Sequence, residues 1–240
     1  MTTLFISDLH LESARPDIAA QFLEFLQTEA IAADALYILG DLFESWVGDD
    51  DPDEHYAMIK SALRAAGERG TPLYFMHGNR DFMIGQRFAE ETSITLLPDP
   101  IRLTIEGSDV LLSHGDALCT DDVEYQKFRQ MTRNPQWQAM MLQKSLEERL
   151  AFARQARAAS MQHGKTINAV ISDVNQQAVE QFMTEHGSDL LLHGHTHRPA
   201  VHRFTLGDKP ATRIVLGDWY EHGSVVRWDE NGPSLEAIER

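Results

Sequence analysis

The sequence predicts an α/β fold with mixed sheets, and three observations carry that prediction. Short apolar, β-branched runs recur, and each stops abruptly at Gly, Asp, Asn or His. Helical periodicity fills the gaps between the early runs, and hairpin-like patterns take over after about residue 94. Nearly continuous apolar runs of this length are strands buried on both faces. Strand–helix alternation opens an α/β fold, and the hairpins add antiparallel pairs to it.

The elements follow in order. Thr3-Leu4-Phe5-Ile6-Ser7 is a strand running into Asp8-Leu9-His10. Asp17 to Ala33 is a helix with Ile18, Phe22, Phe25 and Leu26 on one face. Ala35 to Leu39 is a strand ending in Gly40-Asp41, and Glu54 to Arg69 is a helix using Met58, Ile59 and Leu63. Leu73 to Met76 runs into His77-Gly78-Asn79-Arg80-Asp81. Ile101 to Ile105 and Val110 to Leu112 form a hairpin around Glu106-Gly107-Ser108, and the second strand continues through Ser113 to His114. Leu190 to Leu192 runs into His193-Gly194-His195-Thr196-His197. Ala200 to Leu206 and Thr212 to Leu216 pair around Gly207-Asp208, and the latter ends at Gly217-Asp218.

From about Asp121 to Lys165 only helical periodicity is present, with Pro135 placed as a first-turn residue. Trp137, Met140, Met141, Leu142, Leu146, Leu150 and Phe152 are its apolar residues. Between Val123 and Lys165 stand eight basic residues and three acids, an excess of five positive charges in a chain of net charge −16. The segment is expected to be a helical insertion, at about 121–167 of one domain spanning 1–240, lying over the strand ends as a lid, with those apolar residues on its inner face and its basic residues facing anionic groups of a ligand and an anionic surface. An ordinary solvated helical face is the plainer alternative.

Composition narrows the function classes. With 37 acids against 21 Lys+Arg, general nucleic-acid binding is disfavoured. One cysteine makes no internal disulfide, which points to a reducing cytosol. No apolar run approaches the roughly 18 residues of a spanning helix, and the first residues lack a basic, apolar leader pattern. Any membrane attachment is therefore expected to be peripheral. No obligate protein partner is evident.

Seven polar residues cluster at the strand ends: Asp8, His10, Asp41, Asn79, His114, His195 and His197. Asp8 and His10 are two apart, which in extended chain puts both on one face. His195 and His197 repeat the spacing. Singly, each is an ordinary turn residue or a satisfied histidine. Together, at the end of a sheet where α/β proteins bind ligands, they make a metal site. Seven donors suit two ions about 3.5–4 Å apart with a bridging carboxylate, and Asp41 is the natural bridge. Oxygen and imidazole donors without thiolate favour Mn²⁺, Fe²⁺ or Zn²⁺. The remaining histidines are expected to be surface or supporting residues.

Asp8-Leu9-His10, Gly40-Asp41, Gly78-Asn79-Arg80-Asp81, His114 and Gly194-His195-Thr196-His197 resemble the motifs of the calcineurin-like metallophosphoesterase superfamily, in order, over residues 1 to about 220. The resemblance implies a two-sheet β-sandwich flanked by helices. It also implies two metals, one held by Asp8, His10, Asp41 and His197, the other by Asp41, Asn79, His114 and His195. The superfamily often has His where Arg80 stands, to protonate the leaving group. Arg cannot release a proton near neutral pH but can hold a phosphate bidentately. That departure favours a diphosphate substrate, whose leaving phosphate monoester needs little protonation.

Longer stretches, such as Leu-Tyr-Ile-Leu-Gly-Asp-Leu-Phe-Glu-Ser-Trp and His-Gly-His-Thr-His-Arg-Pro-Ala, resemble one branch of the superfamily. That branch cleaves a UDP-linked diacylated glucosamine in lipid A biosynthesis by water attack on the α-phosphorus, with two Mn²⁺ per chain. The resemblance implies substrate contacts at Asn79, Arg80, Asp122, Ser160 and His195, with Lys165 nearby. Gly164 and Ile167 depart from the branch pattern. It further implies a cytoplasmic enzyme, peripheral on the anionic inner membrane. Another dimetal phosphodiesterase or nucleotide pyrophosphatase, and a non-catalytic metal-binding scaffold, are the alternatives. The second would be expected to have lost donors, and all seven are present.

Overall fold

A computed structural model describes the backbone of residues 2–166 and 173–239, and the side chains of the same residues except 163–166. Strands β1 (Thr3–Ile6), β2 (Ala35–Ile38), β3 (Leu73–Met76) and β4 (Ile94–Leu97) are parallel neighbours in one sheet. Strands β10 (Gly223–Asp229) and β11 (Gly232–Ile238) extend that sheet antiparallel beyond β1. The second sheet has the order β5-β6-β7-β9-β8. Its strands are β5 (Ile101–Ile105), β6 (Ser108–Ser113), β7 (Leu190–His193), β8 (Ala200–Leu206) and β9 (Lys209–Val215). There β6, β7 and β9 run parallel and the edge strands antiparallel.

Strand alternation assigns side chains to layers. Phe5 joins Leu39, Met76, Leu112, Leu192, Ile214 and Trp228 in the core between the sheets. Its neighbours Leu4 and Ile6 point the other way, onto helices α1 (Pro16–Thr28) and α2 (Glu54–Glu68). Leu111 and Leu191 leave the second sheet on its outer face to meet Val179 and Met183 of helix α7 (Gln176–Glu185). The result is the two-sheet sandwich flanked by helices.

The helices form where caps and periodicity agree. Pro16 opens α1 with Asp17 in its first turn, and Ile18, Phe22, Phe25 and Leu26 are buried. This helix stops at Thr28, before the expected Ala33, and a 3₁₀ turn follows over Ala30–Ala32. Asp53 caps α2 by accepting from the His55 amide at 2.8 Å. Ile59 and Leu63 are buried there, but Met58 faces solvent one position off the stripe. Helix α3 (Gln86–Thr92), α7 and strands β4, β10 and β11 are additions to the sequence reading.

The parallel crossover from β6 to β7 carries the helical segment. It forms α4 (Val123–Thr132), α5 (Pro135–Leu142) and α6 (Leu146–Thr166). Asn134 caps α5, with Pro135 in the first turn as expected. Ser145 and Glu148 cap α6 reciprocally, each side chain accepting from the other's amide at 3.2 and 2.9 Å.

Candidate metal centre and cavity

The seven predicted donors come together beyond the strand ends, though not by the local geometry expected of them. Asp8, His10, Asp41, His195 and His197 all have positive φ, between 52° and 70°. Among the described residues, five of the seven non-glycine residues with positive φ are thus donors. The expectation that Asp8 and His10 share a face because the chain is extended is therefore corrected. The strand ends at Ile6, and left-handed turns aim the side chains instead. Such backbone costs about 1–3 kcal/mol per residue and persists only where surrounding contacts impose it. Here the Asp8 and His10 amides donate to the Gly40 and Asp41 carbonyls at 3.0 Å each. Asp81, fully buried, accepts from the amides of Gly78 at 2.8 Å and Leu42 at 2.7 Å. Gly78 is obligatory at this crossing, since a Cβ there would lie 2.1 Å from Asp41 Oδ1.

Two groups of donors result: Asp8, His10 and His197, and Asp41, His114 and His195, with the donor atoms of each group within 4.8 Å of one another. Asn79 joins the second group, its Oδ1 lying 3.0 Å from His114 Nε2 and 2.8 Å from His195 Nδ1. Asp41 lies between the groups. Its Oδ2 is 3.7 Å from His10 Nε2 and 3.8 Å from His114 Nε2, while Oδ1 accepts from the Arg80 amide at 2.8 Å.

The outer nitrogens of the imidazoles decide what the inner ones can do. His114 Nδ1 donates to the Leu39 carbonyl at 2.8 Å, so in its neutral form the ring would aim the Nε2 lone pair at Asn79 Oδ1. His10 Nδ1 donates to Glu44 at 2.8 Å, and His197 Nδ1 to Asp218 at 3.2 Å. In their neutral forms their Nε2 atoms, 3.1 Å apart, would then face each other acceptor against acceptor. Asp8 Oδ1, buried and without a hydrogen-bond partner, lies 3.4 Å from His197 Nε2. Lone pairs converging in a buried place need a proton or a metal cation between them, and carboxylate-oriented imidazole is how proteins hold a metal. The residues fit two metal ions.

The electrostatics agree. Burial pushes the Asp8 carboxyl up, but His197 and the neighbouring imidazoles pull it well below the usual range. Burial lowers His197, yet hydrogen bonds to Asp218 and Asp8 raise it to about 10, so positive charge is favoured where that imidazole points. Burial, then the His114 charge, lowers His195 to about 4, leaving a neutral donor. Burial and then the Asp41 charge push Asp81 up to about 7.

Beside the donors opens a cavity of about 770 Å³. Asn79 and Arg80 line it at the donors, as does Arg157, which pairs at 2.6 Å with Glu44, the partner of His10. Arg154 also lines it, and Phe82, Phe128, Trp137, Met141, Leu150 and Phe152 make its lining largely apolar. Ser160 lines it as well. Asp122 is elsewhere: it caps α4 by accepting from the Tyr125 amide at 3.0 Å and is not part of the lining. The side chain of Lys165 and all of Ile167 lie outside the described residues. Two expectations for this segment are corrected. Met140 and Leu142 are each 50% exposed, because they flank Met141 on a short helix with one inward face. Most of the basic residues do not face the cavity. Arg129 and Arg133 turn to Asp116, Lys127 and Lys144 pair with neighbouring glutamates, and buried Arg149, though in the cavity lining, forks Asp50.

Glu44, Asp218, Asp116 and Tyr125 were missed as site residues. Asp116 and Asp218 carried a signal, each a strand-end Gly-Asp like that of Asp41. Of the other histidines, His193 is fully buried between the Gly194 carbonyl and Arg213, and burial lowers it to about 3.

Sequence comparison places the chain. Residues 1–199 match the calcineurin-like phosphoesterase family, and the chain belongs to that family. Within it, the chain is 49% identical over 247 residues to a UDP-2,3-diacylglucosamine hydrolase of Stenotrophomonas maltophilia, covering 100% of both sequences. It is 51% identical over 245 residues to the protein of the same name from Xanthomonas axonopodis pv. citri, covering 99% of each. The structure of an archaeal phosphodiesterase aligns with a TM-score of 0.50 at 13% identity, over 99% of each chain, a likeness of fold alone.

Proposed function

We propose that this chain hydrolyses the diphosphate of UDP-2,3-diacylglucosamine to UMP and 2,3-diacylglucosamine 1-phosphate, a step in lipid A biosynthesis. The observation that carries the proposal is the cavity, which joins an arginine-lined end at the donor cluster to an apolar wall. A substrate with a charged diphosphate and acyl chains matches both ends. The near 50% identity to proteins bearing that activity's name, along the whole chain, supports it.

Asp8, His10, Asp41 and His197 would hold one metal, and Asp41, Asn79, His114 and His195 the other, with Mn²⁺ the proposed ion. When bound, such a pair supplies Lewis-acid stabilisation and an acidified water. The chain's own residues do the rest. Arg80, lining the cavity at the donors, binds phosphoryl oxygens and takes up their developing charge. Neutral His195 contributes a lone pair rather than a proton. Ser160 contacts the sugar from α6, and Asp122 acts by setting the start of α4. We place α4 to α6 as a lid inserted in a single domain over 1–240, with contacts from Lys165 also proposed. The apolar wall holds acyl chains. Among the described residues no helix is long and apolar enough to cross a membrane. Exposed Met131, Met140, Leu142 and Met161 on this segment, with Lys127 and Lys144, suit reversible contact with the cytoplasmic face of an anionic inner membrane.

Hydrolysis in ¹⁸O-water tests the bond broken. Water attack on the α-phosphorus puts the label in UMP. Label in the sugar phosphate would reverse the polarity and the role given to Arg80. An independent check exchanges Arg80 for the superfamily's more usual His. Arg80→His should lower kcat/KM for the diphosphate about 100-fold, through loss of bidentate binding, and raise turnover of esters with poor leaving groups. Undiminished diphosphate turnover would undo the leaving-group reasoning.

A further inference from the structure

Helix α4 presents a packing problem. Its one buried residue is Thr132, so apolar contact does not hold it in place, yet it supplies Tyr125 and Phe128 to the cavity wall. What holds it is Asp116, fully buried in the turn two residues beyond His114. Asp116 Oδ2 accepts from the Tyr125 hydroxyl at 2.9 Å and from Arg133 Nη2 at 3.4 Å. Arg129 Nε is 3.0 Å from the same oxygen, an ion pair by distance although its N–H is not aligned for a hydrogen bond. The Asp116 carbonyl accepts from Gln126 Nε2 at 2.8 Å. Residues 125, 126, 129 and 133 share one face of a helix, so a single aspartate grips that whole face. Arg133 also donates to the His77 carbonyl at 3.2 Å, ahead of Asn79.

The grip reaches the donor cluster through a ring. Tyr125 stacks on His195 with centroids 5.5 Å apart and planes at 29°. A buried charge held by two guanidiniums is a costly way to gain stability and an effective way to fix one orientation.

We infer that Asp116 is a positioning residue: it docks α4 on the strand ends of β6 and β3, and so sets Tyr125 against His195 and places the lid wall that receives the substrate. This rests on the function proposed above in one respect, that α4 lines the substrate cavity. The test combines kinetics with hydrogen–deuterium exchange on the full-length protein. Asp116→Asn should raise KM for UDP-2,3-diacylglucosamine about tenfold or more, the worth of one charge-assisted hydrogen bond. Its loss on bis(p-nitrophenyl) phosphate, which needs no lid, should be at least tenfold smaller. Exchange should rise across 123–132 and stay unchanged in α2. Tyr125→Phe should shift KM in the same direction, and the double variant should lose less than the sum of the two. Should Asp116→Asn fail to fold, Tyr125→Phe and Arg133→Gln carry the same measurements. Unchanged exchange across α4, or equal losses on both substrates, would overturn the inference. If the wild-type protein leaves the lipid substrate intact, the functional proposal fails, while the exchange result still decides whether Asp116 docks α4.

Discussion

Asp41→Asn is expected to lower kcat at least about 10³-fold with the fold retained. A residue that merely orients a metal ligand is worth about 10–100-fold, and Asp41 stands between both donor groups, so its loss is felt twice. The substitution is conservative in shape. Asn keeps an oxygen for the Arg80 amide, and the buried grip of Asp81 on the neighbouring amides is untouched. It also removes a negative charge that pushes the buried Asp81 carboxyl up to about 7, after burial itself. In chelator, therefore, the variant should melt no lower than the wild type, and Mn²⁺ should raise its Tm less. Asp41→Ala should show the same loss of turnover. Steady-state kinetics over a Mn²⁺ titration, with melting curves at each concentration, check both halves. Full turnover at any metal concentration would sink the shared-carboxylate mechanism.

The donors were legible in the sequence because each closes a strong strand signal, and strand ends in α/β sheets converge whatever lies between them. Their local conformation was not. Alternation describes a strand, and Asp8 and His10 lie past the end of one, in left-handed turns fixed by the Gly40 and Asp41 carbonyls. Glu44, Asp218 and Asp116 act through contacts with residues 34, 21 and 9 positions or more away, which periodicity does not report. The outer strands escaped for a simpler reason. Gly232–Ile238 pairs on one side only and is half exposed, so its residues, Gly-Pro-Ser-Leu-Glu-Ala-Ile, carry little apolar pattern. The seven apolar residues of the helical segment read as one face because α5 was not separated from α6. A turn at Gln143 to Ser145 rotates the two helices independently, leaving Met140 and Leu142 in solvent.

That separation sharpens what acyl chains should be worth. UDP-glucosamine lacking both chains is expected to have a kcat/KM about 10³-fold or more below that of the diacyl substrate, measured in detergent. Burying a methylene contributes about 0.8 kcal/mol, and about 1.4 kcal/mol corresponds to tenfold, so the loss of only about five fully buried methylenes reaches that figure. The apolar wall is long enough for the effect to be felt at several places. Trp137 packs on Phe152 with centroids 5.4 Å apart and on Phe82 at 6.1 Å, and all three line the cavity. Phe152→Ser or Trp137→Ser should therefore narrow the preference about tenfold or more, with the Mn²⁺ dependence of the remaining activity kept. Met140→Ser and Leu142→Ser, on the outward face of α5, should leave the preference as it is. Comparable efficiency on the deacylated sugar would falsify the acyl pocket and make the chain a pyrophosphatase of water-soluble nucleotides. A narrowed preference in the Met140 and Leu142 variants instead would place the chains on the outer face of the lid, against the membrane rather than inside the cavity.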